Sequence, residues 1–159
     1  MRALFTLLLL LAGCGFQLRG AYPLPFDSIY IALPETAELR SVLKRAINAG
    51  SSARVVDSPM EAKATLQITG DTQSKNILSL SAAGRAREFQ LVRSFNFRIV
   101  DPAGRDWLPP GQIVLRRDIT FNDDQVLSKD AEEGLLWRDI QNDLVQQLLR
   151  RLAAARPPA

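Results

Sequence analysis

The feature that most constrains the fold is an alternation of apolar and polar residues through the middle of the chain. Over residues 89–99 the large apolar side chains occupy every second position, with one exception, and polar residues fill most of the positions between. Because successive side chains of a β-strand point to opposite faces, this pattern predicts a half-buried strand. Residues 64–81 and 113–121 predict two further strands, the first of them long or bulged.

Turn signals separate these strands. Residues 82–84, Ala-Ala-Gly, predict a hairpin turn in which Gly84 takes a positive φ. Residues 101–104, Asp-Pro-Ala-Gly, predict a second turn, and the Pro-Pro pair at 109–110 is expected to delay the last strand. We therefore expect Trp107 to lie in a loop.

Two segments have the period of a helix with one buried face. Residues 39–50 follow a short strand at 28–33, and a long segment after Asn122, the expected helix cap, carries an apolar stripe that includes Trp137. Residues 54–56 form only a short extended piece. The order β-α-β-β-β-α predicts an α+β two-layer sandwich, in which a mostly antiparallel or mixed sheet of about four strands has both helices on one face.

Composition removes several kinds of active site. The 159-residue chain has one cysteine and no histidine, so it lacks the commonest general base and zinc ligand. It contains no serine-nucleophile motif, phosphate-binding loop or metal-ligand spacing. Acids concentrate in the last helix, but no spacing selects an acid-base pair. We expect no enzyme, no cofactor and no metal; a carboxylate-dependent hydrolase is the remaining catalytic alternative.

The first residues resemble a bacterial lipoprotein signal. Arg2 supplies a positive charge, residues 4–11 are apolar except for one threonine, and the run ends Leu-Ala-Gly-Cys at Cys14. The run is shorter than the roughly 20 residues of a membrane span, which predicts a secretory signal. Its ending resembles the lipobox, whose cysteine receives a diacylglycerol and becomes the first residue after cleavage. We expect lipid attachment at Cys14 and anchoring by several acyl chains; a buried cysteine ending a hydrophobic helix is the alternative.

This interpretation divides the chain into four parts. We expect a cleaved signal peptide at 1–13, a lipidated tether at 14–27, a single α+β domain at 28–155 and a short tail at 156–159. Gly15 stands where an aspartate usually retains bacterial lipoproteins in the inner membrane, which implies a periplasm-facing location at the outer membrane. A nucleic-acid partner would fit the net charge of +3 but contradicts the export signal.

Several short motifs resemble the family of LPS-assembly lipoproteins called LptE. Residues 14–19, Cys-Gly-Phe-Gln-Leu-Arg, are similar to the family's Cys-Gly-aromatic-x-Leu-Arg opening. The glycine turn before Glu-Phe-Gln-Leu at 88–91, and Ser-Lys-Asp at 128–130, also resemble that family. The resemblance implies a non-enzymatic outer-membrane lipoprotein that plugs and helps assemble the β-barrel LptD and binds lipopolysaccharide (LPS). A periplasmic lipoprotein adaptor of another envelope complex is the alternative.

Cations beside apolar surface are what binding of LPS, with its phosphates and acyl chains, requires. Seven arginines and only three acids lie between residues 82 and 117. Arg85 and Arg87, at the hairpin tip, are the first candidates for LPS binding, and Lys129 in the last helix is the third. The alternatives are a solvated sheet edge for the arginines and an ion pair within the helix for Lys129. Trp107 is a candidate contact with the barrel wall.

Arg93 and Arg117 share the parity of the apolar residues in their strands. Each side chain should therefore point toward the core. A bulge, or an arginine that reaches past the helices to water, is the simpler interpretation. The alternative is a buried, paired arginine that fixes the sheet.

Overall fold

The computed structural model describes residues 22–121 and 126–158. These residues form one five-stranded sheet in the order β2-β1-β3-β4-β5 and two α-helices. The strands are β1 (Ser28–Ala32), β2 (Arg54–Val56), β3 (Ala64–Leu80), β4 (Ala86–Val100) and β5 (Asp106–Thr120). The helices are α1 (Glu38–Gly50) and α2 (Val126–Ala153), and a 3₁₀ turn spans Pro59–Glu61. The predicted α+β class is confirmed.

The sheet is mixed because β1 is parallel to both of its neighbours. β1 pairs with β2 and with the first residues of β3 in parallel, whereas β3–β4 and β4–β5 are antiparallel hairpins. The expectation of about four strands was therefore one too low, since residues 54–56 pair with β1 in regular register. Three residues are too few to show a period in the sequence, so only the pairing identifies them as a strand.

The last strand begins earlier than the proline pair suggested. β5 starts at Asp106 and continues through Pro109 and Pro110. β5 is an edge strand, where a proline that lacks an N–H group is tolerated on the unpaired side. The prediction that Trp107 lies in a loop was therefore wrong, because Trp107 is the second residue of this strand.

The core occupies one face of the sheet, beneath both helices. The buried residues of β4 fall on alternate positions, as the sequence pattern predicted. They pack against apolar residues of α1 and α2, which include the fully buried Leu43 and Ile140. The opposite face carries polar side chains, and the Gln112 side-chain amide donates a hydrogen bond to Ser94 Oγ (2.8 Å) there.

Residues 22–27, at the end of the expected tether, pack against the domain. Phe26 is only 4% exposed and meets the Trp107 ring edge to face, with 5.5 Å between ring centroids. The Tyr22 N–H donates a hydrogen bond to the carbonyl oxygen of Gly50 (2.6 Å). Cys14 and Asn122 lie outside the described residues.

Arg93 is buried in the core and fully paired. Its side chain is 4% exposed, and Nε and Nη2 donate to the two carboxylate oxygens of Asp71 at 2.9 and 2.7 Å. Nη1 donates to the side-chain oxygen of Gln141 in α2 (3.4 Å), so the guanidinium joins β3, β4 and the helix. The less favoured of the two interpretations, a buried arginine that fixes the sheet, is therefore correct.

Arg117 forms a second link between the sheet and α2. Its Nε donates to Asp139 (2.9 Å) and its Nη2 to Asp143 (3.2 Å), which lie one helical turn apart. These hydrogen bonds, with Asp139 the larger contributor, raise the pKa of Arg117 further above its ordinary value. At 31% exposed, the Arg117 side chain lies at the margin of the helix layer.

We predict that Asp71→Ala destabilises the domain more than Arg93→Met does. Removal of the carboxylate leaves a buried guanidinium without its counter-charge, at a cost of about 3 kcal/mol. Methionine replaces the arginine by an apolar side chain of similar length, and Asp71, at 30% exposed, keeps access to water. We expect a cost of about 1 kcal/mol for Arg93→Met, measured by urea unfolding. Equal losses, or a larger loss for Arg93→Met, would contradict this account of the pair.

Candidate functional site

The hairpin between β3 and β4 ends in a tight turn. The Ser81 N–H donates to the Arg85 carbonyl oxygen (2.7 Å), and the Gly84 N–H donates to the Ser81 carbonyl oxygen (2.9 Å). Gly84 has a φ of 74°, a conformation that other residues rarely adopt, so the predicted positive φ is confirmed. The turn thus holds the backbone of Arg85 in one geometry.

Arg85 and Arg87 are both exposed at this tip. The backbone carbonyl of Arg87 accepts a hydrogen bond from the Phe121 N–H (2.7 Å), which ties the tip to the end of β5. Within residues 22–121 and 126–158, the Arg87 guanidinium has no ion-pair partner. The hairpin tip therefore carries two exposed arginines on a backbone whose conformation is fixed by hydrogen bonds.

Most of the other arginines of the 82–117 cluster are paired inside the fold. Arg93 and Arg117 bind acids of β3 and α2, as described above, and Arg98 binds Asp106 (2.8 Å). Arg105 binds Asp101 (2.8 Å) across the second hairpin turn. The positive charge of the cluster is therefore largely compensated, and the exposed members are Arg85, Arg87, Arg105 and Arg116.

The Asp101 carboxyl group accepts two hydrogen bonds from Arg105, one from the backbone N–H and one from Nε, both at 2.8 Å. Burial raises its pKa, but the hydrogen bonds that it accepts from the backbone N–H and the guanidinium of Arg105 lower it more, so the net pKa is below its ordinary value. The pair therefore closes the turn that connects β4 to β5. It is a structural pair at the opposite end of the sheet from Arg85.

A cluster of two aromatic rings and a lysine joins the hairpin to α2. The Phe89 and Phe121 rings meet edge to face at 5.0 Å, and Lys75 Nζ lies 4.4 and 4.6 Å from their centroids. Lys75 Nζ also pairs with Glu133 of α2 (2.6 Å). Sequence reasoning missed Lys75, because its place on the helix-facing side depends on the bulge between Ile68 and Gly70.

Lys129 is paired within its own helix. Its Nζ lies 2.7 Å from the Glu132 carboxylate, and the side chain is 18% exposed. Lys129 lies one turn before Glu133, which places it on the side of α2 toward the hairpin. The alternative of an intrahelical ion pair is therefore confirmed, and it reduces the capacity of Lys129 to bind another anion.

Three aliphatic side chains at the end of β3 are exposed to solvent. Ile77, Leu78 and Leu80 are 57%, 50% and 59% exposed. The sequence pattern grouped Leu78 and Leu80 with the apolar residues that begin the strand, but the pairing shifts at residues 68–70 and 77–80 break that parity. The tip therefore combines cations with apolar surface.

Trp107 lies at the other end of the sheet. Its indole Nε1–H donates to the Lys63 carbonyl oxygen (3.1 Å), and its own carbonyl accepts from the Arg156 N–H (3.2 Å). The ring is half-buried against Phe26. The structure therefore separates Trp107 from Arg85 and Arg87, which belong to the opposite end.

An open cleft of about 660 Å³ lies between α1 and α2. Tyr22 borders it and donates its hydroxyl hydrogen to Gln146 Oε1 (2.7 Å). Within the described residues, no group of three His, Cys, Asp or Glu residues is arranged to bind a metal. None of the helices in that part of the chain combines the length and the hydrophobicity of a membrane span.

Comparison with known proteins identifies the family. A family model described as LptE, lipopolysaccharide-assembly, matches residues 26–152, which is most of the chain. The chain belongs to the LptE family. A curated LPS-assembly lipoprotein LptE from Yersinia enterocolitica is 32% identical over 150 residues, which cover 91% of this chain and 70% of that protein. The Pectobacterium atrosepticum LptE is 29% identical over 160 residues, covering 94% and 84%.

Solved structures of lipoproteins share the fold. An uncharacterized lipoprotein B from Nitrosomonas europaea, determined by NMR, is 40% identical with a TM-score of 0.76, and the match covers 88% of this chain and 91% of that one. A minor lipoprotein from Acinetobacter baumannii is 23% identical with a TM-score of 0.67, covering 85% and 100%, and supports the fold alone. The predicted family is confirmed, and the chain is an LPS-assembly lipoprotein of the LptE family.

Proposed function

We propose that this LptE-family lipoprotein binds LPS at the β3–β4 hairpin tip, as part of a complex with the outer-membrane β-barrel LptD. The observation that supports this most directly is the charge at the tip. Arg85 and Arg87 are exposed on a turn of fixed geometry, whereas Arg93 is buried in the core and Arg117 lies at the margin of the helix layer. A pair of exposed guanidinium groups can each donate two parallel hydrogen bonds to a phosphate.

Contacts within the domain hold the β3–β4 hairpin in place. The Gly84 turn closes its end, and the cluster of Lys75, Phe89 and Phe121 attaches it to α2. Binding to a surface that is already ordered loses less conformational entropy than binding to a flexible loop. Lys129, on the same side of α2, is the third proposed contact, and it would exchange its pairing with Glu132 for a phosphate.

The sheet face opposite the helices supports a place inside a barrel. Ser94, Asn96 and Gln112 give this face hydrogen-bonding groups, which suit the polar interior of an outer-membrane barrel. Trp107 is the proposed contact with the barrel wall, through the part of its ring that Phe26 leaves uncovered. In this proposal the protein binds and assembles, and it catalyses no reaction.

A lipid anchor at the N-terminal cysteine is part of the same proposal. A lipid on Cys14 would hold the domain at the periplasmic side of the outer membrane. Only seven residues separate Cys14 from Tyr22, where the described domain begins. An extended chain spans at most about 3.6 Å per residue, so the Tyr22 side of the domain would remain within roughly 30 Å of the membrane surface.

We predict that replacing Arg85 and Arg87 together by alanine weakens LPS binding. Each charge-assisted hydrogen bond that is lost should cost about 1.5–3 kcal/mol. Equilibrium titration of full-length protein with LPS in detergent measures the effect. Arg45 and Arg54 are also exposed but lie on α1 and the outer strand β2, so Arg45→Ala with Arg54→Ala is the matched control. Wild-type affinity in the Arg85/Arg87 variant, or an equal loss in the control, would rule out the tip.

We predict that the tagged full-length protein, captured from solubilised outer membranes, brings down the LptD barrel. Mass spectrometry of the captured material should identify the barrel in stoichiometric amount. The same analysis should find a lipid-modified Cys14 at the N-terminus. A preparation that contains another envelope complex and no barrel would refute the plug and favour the adaptor alternative.

A further inference from the structure

The segment that leads into the domain packs every second side chain against it. The even-numbered residues Tyr22, Leu24 and Phe26 are half-buried or buried against the core, whereas the odd-numbered residues at 23, 25 and 27 are exposed. This is the period of an extended chain that packs one side against a surface. Residues 22–27 therefore cross the domain with their even-numbered side chains inward.

The same period continues through the residues that precede Tyr22. Phe16 and Leu18 occupy even-numbered positions, while positions 17 and 19 carry glutamine and arginine. An extended chain that continues upstream of Tyr22 turns Phe16 and Leu18 to the side on which Tyr22 and Leu24 meet the domain. Two large apolar side chains are thus available for a surface next to Tyr22.

Tyr22 borders the open cleft of about 660 Å³ between α1 and α2. The apolar lining of the cleft comes from Ala46, Ala49 and Leu149, and its polar lining includes Asp143, Gln146 and Arg150. The volume falls within the range of roughly 300–1,000 Å³ that is typical of sites for small, mainly apolar ligands. The cleft is therefore large enough to receive apolar side chains.

Two hydrogen bonds fix the chain at the border of the cleft. The Tyr22 N–H donates to the carbonyl oxygen of Gly50 in α1 (2.6 Å), and the Tyr22 hydroxyl donates to Oε1 of Gln146 in α2 (2.7 Å). Tyr22 thus links the two helices that form the walls. The residues before Tyr22 start from a fixed point beside the cleft.

The length of this segment matches the cleft. Between Asp143 and Arg150, α2 advances about 11 Å, and the four extended residues from Tyr22 to Leu18 cover about 13 Å. A segment attached to the edge of its own binding site has an effective concentration on the order of millimolar, so modest apolar contact keeps it bound. This attachment favours the protein's own chain over a separate partner as the occupant.

We propose that residues 16–21 bind in the α1–α2 cleft as an extended strap, with the side chains of Phe16 and Leu18 against its apolar lining. The inference does not depend on LPS binding, and only its consequence for the anchor depends on a lipid at Cys14. With the strap bound, Gly15 is the only residue between Cys14 and the bound segment. The α1–α2 side of the domain then lies next to the membrane.

Trypsin tests whether the strap is bound. Arg19 is the only lysine or arginine between Arg2 and Arg40, so trypsin has one site in the strap. Cleavage requires release of the strap, and its rate follows the released fraction when release and rebinding are fast. We expect Phe16→Ser/Leu18→Ser to be cut at Arg19 about tenfold faster than the wild type, since two apolar side chains no longer hold the strap.

The matched control, Gln17→Ser/Ala21→Ser, changes two odd-numbered positions of the same segment and should be cut at the wild-type rate. Full-length protein in detergent is used throughout, and mass spectrometry follows the cut. Each rate is divided by that of a synthetic peptide of residues 15–24 with the same changes. This correction removes effects of the substitutions on trypsin itself.

A second variant changes the cleft and leaves the strap intact. Ala49→Trp places a large side chain in the cleft from α1, and Ala49 is exposed, so the core is not altered. We expect this variant also to be cut at Arg19 about tenfold faster, because the tryptophan occupies the place of the strap. Asn48→Trp, at the adjacent exposed position of α1, is the control and should leave the rate unchanged.

Three results would overturn the inference. The first is a wild-type strap that is cut as fast as the peptide, or no faster cutting of the Phe16/Leu18 variant. The second is faster cutting of that variant without any effect of Ala49→Trp, since the strap would then bind elsewhere. The third is protection that appears only in the presence of the barrel, which would then cover the strap. LPS binding by the Arg85/Arg87 variant tests the proposed function separately.

Discussion

The packing of α1 and α2 on one face of the sheet determines what the rest of the molecule can do. The apolar side of β4, which includes the completely buried Leu91, Phe95 and Phe97, packs against other residues of the same domain. Burial of this kind supplies most of the favourable free energy of folding. Among residues 22–121 and 126–158, it also leaves the opposite face of the sheet and the end of the long hairpin without a covering layer. These uncovered surfaces are the ones to which we assign function.

Position in the fold divides the arginines into two groups with different roles. Arg93 and Arg117 point into the helix layer and bind acids of β3 and α2, so they position the helix on the sheet. The desolvation of a buried ion pair offsets much of its attraction, so such pairs specify an arrangement more than they stabilise it. Arg85 and Arg87, at the far end of the hairpin, keep their exposure to solvent. The cluster that looks uniform in the sequence is thus mainly structural.

Local pattern predicted the elements with a clear period. The long strands β3 and β4, the turn at Gly84 and both helices appear in the sequence because each repeats a signal over many residues or needs a glycine. β2 was not predicted as a strand because three residues show no period. The start of β5 was placed too late because an edge strand accepts prolines. The elements that were missed depend on pairing with distant residues.

The candidate site was predictable only in part, for the same reason. Arg85 and Arg87 follow from their position at a hairpin tip. The exposure of Ile77 and the stacking of Lys75 on Phe89 and Phe121 depend on the shift in the β3–β4 register between Ile68 and Gly70. A shift of one residue moves a side chain to the other face of a sheet, and periodicity alone does not locate it. The lipobox predicted at Cys14, in contrast, rests on a purely local motif.

The central claim is that the tip of the β3–β4 hairpin is the end of the domain that binds LPS. Photo-crosslinking in living cells tests it most directly, with a photoreactive amino acid placed at position 87 or, for comparison, at position 54. Both positions are exposed, but position 54 lies on the outer strand β2. The account predicts an LPS adduct from position 87 and none from position 54. Equal labelling at the two positions, or labelling at position 54 alone, would contradict it.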